Sequence, residues 1–101
     1  MPSIRFNSQM TNKDPLGPGL AHGWVSWGLH EQEVVLITAT AFSHGTGASA
    51  YASEVLAVEN VRVETTLDKE GDPTRNVWFQ VRNAGASTVE RYGVNVAFLS
   101  P

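Results

Sequence analysis

A chain of 101 residues, 42% apolar and 17% charged, is sized for one hydrophobic core and not two; its net charge of −3, with scattered Lys and Arg, offers no basic stripe for nucleic acid. It has no cysteine, which excludes disulfides, thiolate metal sites and thiol nucleophiles. No run approaches the ~18–20 apolar residues needed to cross a bilayer, so membrane insertion is not expected. Met1-Pro2-Ser3-Ile4-Arg5-Phe6-Asn7 lacks the apolar stretch of a signal peptide, which predicts a cytoplasmic protein; a secreted domain trimmed of its leader would read the same.

Ile4 and Phe6 predict a short edge strand. Residues 12–23 hold Asp14-Pro15, Gly17-Pro18-Gly19 and Gly23, a density of breakers that predicts an irregular surface loop. Trp24 to Leu29 reads as a strand with Val25, Trp27 and Leu29 on its core face and Trp24, Ser26, Gly28 and His30 on the other. Glu31-Gln32-Glu33 is the next turn. Val34 to Phe42 is apolar on both faces and rich in β-branched residues, which favours a central strand over a buried helix. Ser43 to Ser53 is small and glycine-rich, hence a loop.

The alternation is clearest after residue 54. Val55 to Val58 is apolar on both faces; Glu59-Asn60 interrupts it with a bulge or strand switch; Val61, Val63, Thr65 and Leu67 then alternate with polar neighbours as in a half-buried strand. Asp68 to Pro73 is a polar hairpin loop. Val77, Phe79 and Val81 form one strand face opposite Trp78, Gln80 and Arg82. Asn83 to Ser87 has turn composition, with Asn and Gly available for positive φ, and Tyr92, Val94, Val96 and Phe98 face one way in a last strand from about Val89 to Leu99. Short loops make these last three strands an expected antiparallel meander. The fold class read from this pattern is all-β: one antiparallel, immunoglobulin-like β-sandwich of six or seven strands over residues 1–101.

Val58-Glu59-Asn60-Val61-Arg62-Val63, Val77-Trp78-Phe79-Gln80-Val81-Arg82-Asn83-Ala84-Gly85 and Tyr92-Gly93-Val94-Asn95-Val96-Ala97-Phe98 resemble the strand pattern of bacterial immunoglobulin-like cell-surface modules of the CARDB and fibronectin type III-like kind. The resemblance covers under half of the chain and implies a non-enzymatic β-sandwich with no catalytic residues to carry over. Such modules usually begin with this pattern. Here it comes last, so the remaining strands are expected from residues 1–53 or from a neighbouring subunit.

Several side chains invite a chemical reading. His22, His30 and His44, with Glu31 and Glu33, include metal-ligating types, but spacings of eight and fourteen positions fit no compact ligand motif, and loop histidines are ordinarily solvated. Ser43 beside His44 is not a nucleophile pair, because adjacent side chains on an extended chain diverge. Gly45 and Gly47 lack the lysine and helix of a phosphate loop. Asp68, Glu70 and Asp72 fit a solvated hairpin tip better than a calcium loop. Trp27 is assigned to the core, whereas Trp24 and Trp78 on polar faces are candidate platforms for sugar rings or protein partners.

The function expected is therefore a non-catalytic, lectin-like binding module for carbohydrate or protein, using Trp24, His22, His44, Tyr51 and Trp78, with no metal and no cofactor. A self-assembling structural protein, a homo-oligomer formed through open sheet edges, is the second reading. A small enzyme with one of the histidines as base is the third.

Overall fold

The computed structural model describes residues 3–10, 15–43 and 54–101. It is all-β: β1 (Ser3–Met10), β2 (Ala21–Trp27), β3 (Val34–Ser43), β4 (Leu56–Leu67), β5 (Pro73–Asn83) and β6 (Arg91–Ser100), with no helix among the described residues. The strands form two antiparallel three-stranded sheets packed as a sandwich, sheet A in the order β1-β6-β3 and sheet B in the order β2-β5-β4.

β5 and β6 are the central strands, and their alternation builds the core. Val77, Phe79 and Val81 point from sheet B towards Tyr92, Val94, Val96 and Phe98 of sheet A, and all seven are buried. The flanking strands add Trp24, Val35, Ile37, Ala39, Ala41, Leu56 and Val58 around the margin. This inward rhythm of two excludes water from one face of each sheet, which is the main stabilising contribution.

The winding differs from the expected meander. Among the described strands only the β4–β5 hairpin joins consecutive strands within one sheet; β6 crosses to the other sheet and pairs with β1 and β3. The immunoglobulin arrangement keeps three consecutive pairs in common sheets. Here β1–β6 and β2–β5 are nested as in a jelly roll. The departure begins at Asn83. Its fully buried side-chain amide donates to the carbonyls of Leu16 (2.8 Å) and Ser87 (2.7 Å), and its Oδ1 accepts from Gly85 N–H (2.9 Å). Val89 then pairs with Leu16 through two 2.9 Å backbone bonds. Residues 84–90 thus form a crossover, not a hairpin turn, and Leu16 is buried within a segment expected to lie on the surface.

Two strand expectations also change. β3 lies at the edge of sheet A and not at its centre, and because the sandwich has two layers only its Val35, Ile37, Ala39 and Ala41 face is covered, while Val34 and Leu36 stay exposed. The bulge after Glu59 is present: the register shifts between Glu59 and Arg62, and Asn60 takes φ 52°, a left-handed conformation that Asn tolerates better than most residues. Beyond it, the face carrying Val61, Val63 and Leu67, expected to be half-buried, lies open. The reason is geometric. β2 ends opposite Asn76, while β4 and β5 pair onward to Leu67 and Pro73, so the hairpin tip overhangs the sandwich.

Candidate ligand-binding face

The outer face of sheet B is assembled by register. One rung places Trp27, Asn76 and Glu64 side by side; the next places Val25, Trp78 and Arg62. Trp27 and Trp78 meet edge to face, with centroids 6.5 Å apart and planes at 66°, an arrangement that satisfies the ring quadrupoles. Trp27 is 64% exposed, while Trp78 is partly buried and donates its Nε1–H to Glu64 Oε1 at 3.3 Å. Trp78 thereby buttresses an indole whose own surface stays open.

Polar groups surround the pair. Arg82 Nε donates to Glu59 Oε1 at 2.8 Å and Arg82 Nη2 to Glu59 Oε2, a two-point ion pair that holds the guanidinium pKa above its ordinary value. Asn60 Nδ2 donates to Gln80 Oε1 (3.0 Å), and Arg62 Nη1 to the Asn60 carbonyl (3.3 Å). Two arginines and two glutamates share the face, so its formal charge balances. Asn76 is buried in the Trp27 rung, and its Oδ1 takes no hydrogen bond among the described residues.

A second cluster lies between the sheets near the start of β6. Tyr92 Oη accepts the Trp24 indole N–H (2.9 Å) and shares a hydrogen bond with His22 Nδ1 (2.7 Å). The Tyr92 ring is stacked on His22 and edge-on to Trp24, which itself lies parallel to Phe79. Burial pushes the Tyr92 phenol pKa up, and the Trp24 N–H partly opposes this. The cluster satisfies two polar aromatic groups inside the sandwich and leaves no open indole surface of the kind Trp27 offers.

The expected faces of β2 are therefore exchanged. Trp24, assigned to an exposed platform, packs inward because register places it opposite Phe79 and the Tyr92 hydroxyl supplies its N–H with a partner. Trp27, assigned to the core, points outward. Leu29 is buried although it shares Trp27's parity, because Gly28 at φ 85° ends the strand alternation between them. Trp78 faces outward as expected, and His22 faces Tyr92. His44 and Tyr51 lie outside the described residues.

His30 lies beyond the opposite end of β2 from His22, with its Nδ1 3.7 Å from Glu33 Oε1. Among the described residues no group of three metal-ligating side chains forms. In the tip hairpin, Asp68 spends Oδ1 on the backbone N–H groups of Glu70 and Asp72 (2.9 and 2.8 Å), the bonding of a turn.

Sequence reading missed the pairing of Arg5 with Glu33. Arg5 reaches inward across the Phe98 ring, its Cζ 4.5 Å from the centroid, and donates to both Glu33 oxygens (3.1 and 2.6 Å) and to the Gly28 carbonyl (3.1 Å). Glu33 also accepts from His30 N–H at 2.7 Å. These bonds hold the Glu33 carboxyl down at about pKa 2, against desolvation that acts the other way. Partners 28 positions apart leave no local spacing signal.

The chain matches no protein-family model, no curated protein and no solved structure.

Proposed function

We propose that this domain is a carbohydrate-binding module whose ligand stacks on Trp27 across the outer face of sheet B. The observation that carries the reading is the 64% exposure of Trp27, held edge-on by Trp78 amid alternating hydrogen-bonding side chains. A sugar ring has an apolar face of C–H groups and a rim of hydroxyls. An open indole beside Trp78, on a face whose same and next rungs carry Asn76, Glu64 and Arg62, answers both parts, and it sits on strands rather than on a mobile loop. The paired charges Arg82–Glu59 favour a neutral oligosaccharide over an acidic or basic one.

An array of neutral oligosaccharides, followed by titration of the retained sugars, tests this. Trp27→Ala is expected to weaken binding at least tenfold, about 1.4 kcal/mol or more, as for a contact-dominating aromatic, and Trp78→Ala to weaken it less. Trp24→Phe, which keeps an aromatic ring in the interior, is expected to leave affinity within twofold. Retention of no sugar, or full affinity in Trp27→Ala, would refute the assignment.

A further inference from the structure

We infer that the outer face of sheet A is an interface between two copies of this chain, related by a two-fold axis. Two adjacent rungs of that face are wholly apolar across all three strands: Ile4, Leu99 and Val34 in one, Phe6, Ala97 and Leu36 in the next. Phe6 is 72% exposed and Leu36 is 58% exposed. The face continues through Asn95 and Thr38, then Gly93 and Thr40, and among its described positions the one charge is Arg91 at the far end of β6, eight residues from Leu99. Solvent-facing surfaces ordinarily carry about a quarter to a third charged residues, and the outer face of sheet B does carry such side chains.

Area points the same way. The chain exposes 6703 Å² for a mass of 10.9 kDa, roughly 1,100 Å² more than the ~5,600 Å² expected of a compact monomer. A specific interface removes about 800 Å² from each partner. Ile4, Phe6, Val34 and Leu36, each more than half exposed, are the surface a second copy would cover.

Charge selects the occupant. A sugar or an ionic partner finds little on the apolar rungs to hydrogen-bond or pair with. A second copy presents the same neutral rungs, so a two-fold running across the strands through them brings apolar surface onto apolar surface and sets the two Arg91 side chains at opposite ends. β3, edge strand though it is, then has both of its apolar faces covered. Binding on sheet B is untouched, because the two faces lie on opposite sides of the sandwich.

Sedimentation velocity of the full chain, from micromolar to millimolar concentration, tests the interface. The wild type is expected to self-associate, and Phe6→Lys and Leu36→Lys each to weaken association at least tenfold. Both positions are exposed in the single chain, so circular dichroism and Tm, read at concentrations where the wild type is monomeric, are expected to stay unchanged. Trp27→Ala is expected to associate like the wild type. A wild type that is monomeric at millimolar concentration overturns the inference. So do lysine variants that keep their fold and associate undiminished, which would move the contact elsewhere, for example to the hairpin face of Val63 and Leu67.

Discussion

Asn83 shows how one buried amide organises a whole end of the sandwich. Its side chain makes three hydrogen bonds to backbone groups of two loops, and its own N–H and C=O pair with Leu20 and Gly19. Each unmet buried polar group costs about 1–3 kcal/mol. Asn83→Ala leaves the Ser87 carbonyl and the Gly85 N–H short of a partner and the Leu16 carbonyl with the Val89 N–H alone, and water entering the loops recovers only part of the loss. The expected destabilisation is about 3 kcal/mol, read from the denaturation midpoint at unchanged m-value; a loss below about 1 kcal/mol would show that the loops re-pair without it. In the sequence Asn83 is legible as a turn residue, but for the wrong reason. Asn83 and Gly85 do not take positive φ, and what the fold uses is an amide that donates and accepts at once.

Between elements, the ion pair of Arg5 and Glu33 ties edge strand β1 to the turn joining β2 and β3. Folding lowers the Glu33 pKa from 4.5 to about 2, so the folded state gives up this proton more readily than the unfolded chain. The stabilisation is therefore fully present above about pH 4.5 and fades as pH falls towards 2. Thermal melts of wild type and Glu33→Gln across that window should converge as acid removes the charge the variant lacks. A constant Tm difference from pH 7 to pH 2 would contradict a role for the ionised pair. Alternation marked most of the strands, because water on one side and core on the other imposes a period of two. It did not decide the direction of β2, since each of its faces offers a tryptophan to the core. Two partners remote in sequence decide that: the Tyr92 hydroxyl for Trp24 and the Trp78 ring for Trp27. The candidate site was accordingly half legible, with Trp78 found and Trp27 assigned inward.

At the scale of the whole molecule, the chain has a radius of gyration of 16.0 Å and extends 55 × 31 × 19 Å, whereas a compact domain of about 100 residues has ~13 Å. Hydrophobic rhythm says which side of a strand is dry but not which strand lies beside it, so the two-sheet architecture could be read and the nested winding could not. That winding orders the folding reaction. β4 and β5 close over a five-residue loop, Asp68–Asp72, while β1 must find β6 across nearly the full length of the chain. Closing a short loop costs less entropy, so the hairpin is expected in the transition state and the β1 pairing after it. Gly71 sits in the hairpin loop at φ 85° with open space where a Cβ would project. Gly71→Ala therefore carries a conformational cost of about 1 kcal/mol and no clash. Stopped-flow chevrons are expected to place that cost chiefly in slower folding, with φ above about 0.5, and to place the loss in Arg5→Ala chiefly in faster unfolding. The reverse assignment would mean that the ends of the chain meet before the hairpin forms.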